Sequence, residues 1–382
     1  MQDKQYLMIP GPTPVPPAVA AAMSKPVFGH RSKEFAQMYK RIVEKLQRLF
    51  QTKNDIFVLT NSGTGAMEAA IANTVTAGDK VLALVTGNFG ERFTRIARAY
   101  GAELIEVNFG YGNDVDLAVV KEKLAQHPDV KVVLATQNET STGVCNDIAG
   151  IGELVAKTPA LFLVDGVSGV GAIEIKVDEW QVDMLCTASQ KALMLPPGLS
   201  MISVSDKAWE IVNNNKAPRF YFSLPAAKKV YGEWNTPYTP AVTLFYGLEA
   251  ALDMMEAEGL DNVYARHGLL ARAARAAIKA LGLRLLPEER CASNALTAFW
   301  GPEGIAADEL RKIIKNKYGV SFAGGQGEVK GKILRIAHMG FADKMDIIIA
   351  IAALEMALAD AGYPVQPGAG VAAAQYVFLG RL

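Results

Sequence analysis

One lysine stands in an unusual setting in this sequence. Lys191 lies within LCTASQKALMLPPGL (residues 185–199), between a strand-like run and a double proline, where its neighbours are small or apolar. A solvated lysine needs no such neighbours, because its ammonium group is strongly hydrated and its long stem favours the surface. Burial would lower the pKa of this amine and make it a competent nucleophile. The alternative interpretation is an ordinary lysine in a surface loop.

A single carboxylate follows an apolar run upstream of the lysine. Asp165 ends ALFLVD (residues 160–165), and buried acids are rare unless they are paired. The nearest cation downstream is Lys176, which belongs to a different strand-like stretch. A nitrogen atom of a bound ligand is therefore a candidate partner for this acid. The alternative is an aspartate that only caps the following turn.

A turn of small residues opens a helix near the amino end. NSGTGAMEAA (residues 61–70) places Ser62, Gly63 and Thr64 where free N–H groups and the helix dipole favour an anion. The alternative is a plain N-cap, since a glycine-rich turn alone is weak evidence. In this order, however, a phosphate cradle, a strand-end acid and a nucleophilic lysine are what pyridoxal phosphate requires. They supply the phosphate anchor, the partner of the pyridinium nitrogen and the Schiff-base amine.

The elements around these loops alternate between strand and helix patterns. Apolar residues at three- and four-residue spacing predict a helix from Glu34 to Phe50, and short apolar runs then alternate with helical patterns to about residue 165. This alternation favours an α/β fold, a parallel sheet with helices on both faces, in which ligands bind beyond the carboxyl ends of the strands. After Pro240 two long helical patterns precede shorter strands, which predict a second, smaller α+β domain.

Three segments follow from this organisation. Residues 1–17 carry five prolines and predict an extended arm of the kind that often lies on a partner subunit. We expect residues 18–255 to form the large domain that holds the three loops, and residues 256–382 to form the small C-terminal domain.

Composition excludes several function classes. Lysine plus arginine equals aspartate plus glutamate at 39 each, which removes the electrostatic argument for a nucleic acid or an anionic membrane as partner. No signal peptide and no apolar run of about 20 residues is present, so we expect a cytoplasmic protein. The three cysteines, Cys145, Cys186 and Cys291, are far apart and suggest neither a metal site nor a disulfide framework.

The motifs in their order resemble fold-type I pyridoxal-phosphate enzymes, specifically class V aminotransferases of the alanine/serine–glyoxylate type. The resemblance covers essentially the whole chain and implies a large domain built on a mostly parallel sheet of the seven-stranded type. It rests on PGPTPVP, FGHRSKEF, SGTGAMEAA, TGNFGER, ETSTG, LVDGVSGVG, SQKAL with PPG, TPYTP and LRIAHMG.

The resemblance also implies roles around the cofactor ring. Phe89 would stack on the pyridine ring, where several relatives have tryptophan, and Val167 would pack on the opposite face. Thr140 would hydrogen-bond near the phenolic oxygen, and Gln190 would bond the phenolate or the phosphate. Thr64 stands where the family has histidine, which replaces an imidazole by a hydroxyl among the phosphate donors.

Substrate and partner residues are implied in the same way. Arg335 matches the arginine that binds the substrate α-carboxylate, with the backbone of Gly11 nearby. Thr236 and Thr239 match residues that relatives lend to the phosphate of the neighbouring subunit. The resemblance therefore implies a homodimer in which each site is completed by the other subunit.

These inferences predict an aminotransferase that contains no metal. It would move an amino group from a small amino acid, alanine or serine, to glyoxylate or pyruvate by a ping-pong mechanism. One alternative is a lyase or desulfurase, although Cys291 lies in no Gly/Ser-rich loop that would make it mobile. The other is a non-catalytic subunit of a hydrogenase-type complex, a label that some relatives carry, although no clustered cysteines are present to bind iron or nickel.

Overall fold

The computed structural model describes residues 5–381, in which strands and helices alternate along most of the chain. The strands are β1 (Tyr6–Met8), β2 (Asp55–Leu59), β3 (Lys80–Val85), β4 (Glu103–Asn108), β5 (Val132–Thr136), β6 (Asn138–Glu139), β7 (Val144–Cys145), β8 (Leu161–Asp165), β9 (Met184–Ala188), β10 (Ser200–Val204), β11 (Leu296–Trp300), β12 (Val320–Gly324) and β13 (Ile333–Ala337). The helices are α1 (Pro17–Met23), α2 (Lys33–Phe50), α3 (Gly63–Thr74), α4 (Asn88–Ala99), α5 (Leu117–Gln126), α6 (Ile148–Val155), α7 (Asp206–Asn214), α8 (Leu224–Tyr231), α9 (Val242–Glu258), α10 (Leu260–Ala280), α11 (Ala307–Tyr318), α12 (Lys344–Asp360) and α13 (Ala369–Phe378), with short 3₁₀ turns at Glu289–Cys291 and Gly327–Val329.

A seven-stranded sheet forms the centre of the larger part of the molecule. Its order is β2-β10-β9-β8-β5-β3-β4, and β10 alone runs antiparallel to its two neighbours. The predicted α/β fold with a mostly parallel sheet is therefore confirmed. Because β2, β3, β5, β8 and β9 run in one direction, the loops that follow them meet at a single edge of the sheet.

Helices cover both faces of this sheet, as the sequence predicts. In β8, Leu161 and Leu163 pack with residues of α3, α4 and α7, whereas Phe162 and Val164 pack with residues of α2, α6 and α9. Successive side chains of a strand point to opposite faces, so a strand buried on both sides reads as an unbroken apolar run. This explains why ALFLV carries no polar residue before Asp165.

A four-stranded sheet forms the centre of the smaller part. Its order is β1-β12-β13-β11, with β1 parallel to β12 and β13 antiparallel to both of its neighbours. Residues of α10, α11, α12 and α13 pack with this sheet in one apolar core. The predicted boundary between residues 255 and 256 falls inside α9 and stays a prediction. No described helix is both long enough and apolar enough to span a bilayer.

The proline-rich arm is anchored within its own chain. Residues 1–4 lie outside the described residues; beyond them, β1 pairs with the edge of β12, with Tyr6 opposite Val320. The arm then crosses to the large sheet, where the Thr13 hydroxyl donates to the carbonyl oxygen of Lys191 at 2.8 Å. It ends where α1 begins at Pro17, a position that suits proline because its missing N–H has no intrahelical partner there. Contact of the arm with a partner subunit stays a prediction.

Candidate active site

The edge formed by the carboxyl ends of five strands carries most of the residues predicted from the sequence. Each of these strands delivers one loop to this edge, so residues far apart in sequence become neighbours. The loops contribute residues 62–64 at the start of α3, Phe89 in the first turn of α4, Thr140 beyond β5, Asp165 and Val167 at the end of β8, and Gln190 with Lys191 beyond β9.

The Lys191 amine is covered by the proline-rich arm. Its Nζ donates a hydrogen bond to the carbonyl oxygen of Pro10. Gly11 lies directly against it, because a Cβ on Gly11 would stand 2.7 Å from Nζ, and its φ of +115° suits only glycine. The pKa of Lys191 is lowered to about 8, chiefly by burial; Asp165 opposes the change, and Arg335 and Arg92 contribute to it. Near neutral pH a fraction of this amine is therefore unprotonated and nucleophilic.

Asp165 is a buried acid with spare bonding capacity. Its side chain is 4% exposed, and its Oδ1 accepts a hydrogen bond from the backbone N–H of Val167 at 2.9 Å. The pKa of Asp165 is raised to about 7, chiefly by burial; the hydrogen bond from Val167 opposes the rise, Glu139 adds to it, and Lys191 and Arg92 oppose it. No further hydrogen bond to this carboxylate is present in residues 5–381. The group is therefore suited to a cationic N–H donor on a ligand.

The first turn of α3 differs from those of other helices that begin with serine. Ser32 of α2 and Ser205 of α7 accept a hydrogen bond from the backbone N–H three residues later. Ser62 has the same extended backbone, yet its side chain makes no capping hydrogen bond. The Nδ2 of Asn61 next to it is buried and has no hydrogen-bond partner. The plain N-cap interpretation thus lacks its bond, and the free donors fit a phosphate.

Two further residues at this edge fit an aromatic ligand. The Oε1 of Gln190 is buried without a hydrogen-bond partner, although the backbone of Gln190 is fixed by the N–H of Thr13 at 3.2 Å. Phe89 is half-buried, and the guanidinium of Arg92 lies 4.8 Å from the centroid of its ring. With the acid, the amine and the uncapped helix, these residues fit pyridoxal phosphate.

Arg335 presents a carboxylate-binding group from the small sheet. It lies on β13, is 5% exposed, and donates through Nε and Nη2 to the carbonyl oxygen of Gly324 at 2.9 and 2.7 Å and through Nη1 to that of Thr140 at 2.5 Å. These bonds use three of its five N–H groups and leave one on each terminal nitrogen. Burial lowers the pKa of Arg335 to about 10, and Glu139 opposes the change, so the group stays charged at neutral pH.

Comparison with a family model identifies the protein family of this chain. The model described as aminotransferase class-V matches residues 5–339, which include every residue named above. The chain belongs to the class V aminotransferases. This family typically depends on pyridoxal phosphate, in agreement with the chemistry of the donor set at the strand ends. The family resemblance read from the sequence is confirmed, and so is the class of enzyme.

Individual relatives extend over nearly the whole class V aminotransferase chain. An uncharacterized aminotransferase of Methanocaldococcus jannaschii is 46% identical and covers 98% of both chains. The small subunit of a soluble hydrogenase of Synechococcus is 44% identical with 99% of both covered, and a serine–glyoxylate aminotransferase of Hyphomicrobium methylovorum is 40% identical with 98% and 94% covered. The crystal structure of pyridoxamine–pyruvate aminotransferase from Mesorhizobium loti superposes with a TM-score of 0.95 at 33% identity, covering 100% and 98%.

The structure places Thr236 and Thr239 next to Asn61, which precedes the predicted phosphate-binding turn at residues 62–64. Both lie between α8 and α9 and line a small cavity with Asn61. The hydroxyl of Thr236 donates to the carbonyl oxygen of Tyr238 at 2.8 Å. Within the described residues, neither threonine forms a hydrogen bond with residues 62–64. Their predicted role in a neighbouring subunit stays a prediction.

Three residues of the class V aminotransferase site escaped the sequence analysis. Glu139 is completely buried beside the loops that carry Phe89 and Thr140, and Arg92 influences the pKa values of both Asp165 and Lys191. Pro10 supplies the carbonyl that accepts from Lys191. All three stand within the motifs ETSTG, TGNFGER and PGPTPVP. Asp165 was identified from the sequence as an acid that closely follows an apolar run. The same signal could have identified Glu139, which follows the run VVLAT.

Proposed function

We propose that this class V aminotransferase uses pyridoxal phosphate to move an amino group from alanine or serine to glyoxylate or pyruvate. The observation that carries the proposal is the convergence of a desolvated Lys191 amine, a buried Asp165 carboxylate and a buried Arg335 guanidinium. Two observations support the proposal: Asp165 ends β8 and Lys191 follows the paired strand β9, and Arg335 donates to the carbonyl oxygen of Thr140 in a loop at the same edge of the sheet. The serine–glyoxylate relative supports the choice of substrate pair.

Lys191, Asp165 and the turn at Ser62 each have a separate role in the proposed reaction. When bound, pyridoxal phosphate supplies an aldehyde carbon that takes the amine and a ring that accepts electrons. Lys191 would hold the cofactor through its Nζ, and the same nitrogen would move the proton of the substrate Cα. Asp165 keeps a proton on the ring nitrogen, and the Ser62 turn anchors the phosphate.

Arg335 orients the substrate and the arm limits its size. The two free N–H groups of the guanidinium match the two oxygens of an α-carboxylate, and amino acids and 2-oxo acids share this group. One arginine therefore serves both halves of a ping-pong cycle. Because Pro10 and Gly11 lie against the Lys191 amine, little room remains beside this amine, which favours substrates with short side chains.

A homodimer would complete the site. Among the described residues, Thr236 and Thr239 form no hydrogen bond with residues 62–64 of their own chain, and the resemblance assigns them to the neighbouring subunit. Size-exclusion chromatography with light scattering checks this part of the proposal. A monomer that turns over at full rate would contradict it.

The reaction is tested with a substitution and a substrate panel. Lys191→Ala should abolish turnover and the visible absorbance of the bound cofactor, since no other amine takes its place. Alanine, serine and aspartate, each offered with glyoxylate and with pyruvate, should give the highest kcat/KM for alanine or serine with one of these acceptors. Unchanged activity in Lys191→Ala would refute the assignment of the amine, and a preference for aspartate would refute the assignment of the donor.

The 44% identity to a hydrogenase small subunit favours one alternative function. That alternative predicts co-purification with a hydrogenase and no transaminase activity. Residues 5–381 contain no group of three or more His, Cys, Asp or Glu side chains that could hold a metal ion. The desulfurase alternative needs a reactive thiol, but Cys291 is buried and its burial raises the thiol pKa. Sulfide release from cysteine would be the sign of that activity.

A further inference from the structure

One buried carboxylate of the site has no role in the chemistry proposed above. Glu139 is 0% exposed, and each of its two oxygens accepts two hydrogen bonds. Oε2 accepts from the backbone N–H groups of Phe89 and Gly90, both at 3.0 Å. Oε1 accepts from the backbone N–H and the hydroxyl of Ser141 at 3.0 and 2.5 Å. A charge buried this deeply persists only when it is bonded in this way.

The bonds to Oε2 replace a missing helix cap. α4 begins after Gly87, which has no side chain to cap it, so the N–H groups of its first turn need another acceptor. The carboxylate of Glu139 supplies this acceptor from a different strand end and also complements the helix dipole. The fit is close, because a Cβ on Gly87 would stand 2.5 Å from Oγ of Ser141 and 2.7 Å from Cγ of Glu139.

The same carboxylate connects the two sides of the proposed cofactor and substrate sites. On one side it fixes the turn that carries Phe89. On the other it fixes the turn after Thr140, whose carbonyl oxygen accepts from Nη1 of Arg335. Its charge opposes the lowering of the Arg335 pKa that burial causes, so it also helps to keep the guanidinium charged.

We propose that Glu139 is a positioning residue that holds Phe89 against the cofactor ring and sets Arg335 for the substrate carboxylate through the turn at Thr140. The inference rests on the proposed function, because it assigns Glu139 a part in cofactor and substrate binding. It goes further by naming one acid that couples the two binding sites without touching either ligand.

The small domain offers a matched control. Glu355 is also buried, and its carboxylate accepts from the backbone N–H groups of Gly368, Gly370 and Val371 at 3.0, 2.6 and 3.1 Å. It caps α13, whose N-cap is likewise a glycine, but it contacts none of the loops at the strand ends. Replacing Glu355 by Gln therefore reproduces the loss of a buried helix-capping carboxylate away from the site.

The test compares Glu139→Gln with Glu355→Gln and wild type. In either orientation, the amide introduced in place of the Glu139 carboxylate would point its NH₂ at two donors, so both variants should melt at lower temperature. Only Glu139→Gln should raise the dissociation constant of pyridoxal phosphate, by about tenfold or more, when the cofactor-free protein is titrated by absorbance. It should also raise KM for the amino donor by a larger factor than it lowers kcat, because Arg335 is affected through Thr140.

The possible outcomes distinguish failure of the role proposed for Glu139 from failure of the proposed function. Equal cofactor affinity and equal KM in Glu139→Gln and Glu355→Gln, with similar melting temperatures, would show that Glu139 serves stability alone and overturn the inference. Wild-type protein that does not bind pyridoxal phosphate would overturn the proposed function and the inference with it. If Glu139→Gln does not fold, Gly87→Ala takes its place, since the added methyl would displace both the Ser141 hydroxyl and the Glu139 carboxylate to which it donates, without removing the charge. Wild-type cofactor affinity in Gly87→Ala would then reject the inference.

Discussion

Two buried acids, Glu139 and Asp165, lie at the carboxyl ends of neighbouring strands of the large sheet, and their carboxylates differ in the number of hydrogen bonds that they accept. Glu139 follows β5 and accepts four hydrogen bonds from its own chain. Asp165 ends β8, whose register pairs Thr136 with Asp165, and accepts one hydrogen bond. Burial raises the pKa of both carboxylates. The four bonds to Glu139 oppose the rise, whereas Asp165 has only the bond from Val167 and weak help from nearby cations.

The contrast separates an acid that supports the chain from one that is prepared for a ligand. A carboxylate whose acceptor sites are filled by backbone N–H groups stabilises the segments that donate to it. One that is buried with its acceptor sites unfilled costs free energy until a donor arrives. The number of hydrogen bonds therefore favours a positioning role for Glu139 and the proposed cofactor contact for Asp165, a distinction that burial alone does not make.

The strongest test of this contrast removes the charge of Asp165. Asp165→Asn should lower kcat/KM by about 10²- to 10³-fold, because a neutral amide cannot balance a protonated ring nitrogen. The rate is measured on the best substrate pair from the panel. Asp183→Asn is the control, since Asp183 is also buried but precedes β9 at the opposite edge of the sheet and accepts from Phe162 and Ser205. A loss as large in Asp183→Asn would remove the distinction.

The arginine that donates to the turn at Thr140 gives the next largest effect. Arg335→Lys keeps the charge but loses the planar fork, so KM for both the amino acid and the 2-oxo acid should rise by about 10- to 100-fold with a smaller change in kcat. Steady-state kinetics with each substrate varied in turn measure the split. Arg219→Lys is the control, because Arg219 is also an incompletely exposed arginine and donates to the backbone carbonyls of Val212 and Asn215 at the end of α7. An unchanged KM would take Arg335 out of the substrate site.

Much of the contrast could be anticipated from local sequence pattern. The helix predicted for residues 34–50 is α2 at residues 33–50, and the apolar runs before Asp165 and Lys191 are β8 and β9. These features follow from the spacing of apolar residues within one element. The topology then brings Lys191 and Asp165 to the same edge, because parallel strands of an α/β sheet end together.

What escaped prediction depends on pairs that are distant in sequence. Glu139 binds N–H groups about fifty residues away, and Tyr6 of the arm pairs with Val320 of the small sheet. The prolines of the arm indicate an extended chain but carry no information about which strand it joins. Nor does any local pattern show that Ser62, unlike Ser32, leaves its hydroxyl free of the helix cap. Such features are set by tertiary contacts.

The raised pKa of Asp165 should also be visible in the pH dependence of the free energy of unfolding of the cofactor-free protein. The folded-state pKa of Asp165 is raised from 3.8 to about 7, so between these values the folded state holds a proton that the unfolded state has lost. Its contribution to the free energy of unfolding should fall as pH rises from about 4 to 7, by at most about 1.4 kcal/mol per pH unit. Lys191, with its pKa lowered from 10.5 to about 8, acts in the opposite sense, and its contribution recovers above pH 8.

The measurement is the difference between wild type and Asp165→Asn in chemical denaturation from pH 4 to 9. Taking the difference is necessary, because burial lowers the pKa of His267 to about 4 and that of His338 to about 3, and these groups make stability rise with pH below 6.5. Bound pyridoxal phosphate should remove the Asp165 contribution, so it should stabilise the protein most near pH 7 to 8. A difference curve that stays flat between pH 4 and 7 would mean that folding does not raise the pKa of Asp165.

The smallest expected effect concerns Phe89, whose backbone N–H donates to Glu139. Phe89→Trp enlarges the aromatic face and keeps the contact with Arg92, since indole is the better cation–π partner. If the Glu139 bonds fix the start of α4, the larger ring gains stacking area without moving, and the dissociation constant of pyridoxal phosphate should fall by about three- to tenfold. Absorbance titration measures it, with Phe341→Trp, an exposed aromatic of the small domain, as the control. The gain should disappear in the double variant Phe89→Trp/Glu139→Gln, because the indole then lacks the fixed backbone that directs it. A gain that persists there would mean that the ring finds its place without Glu139.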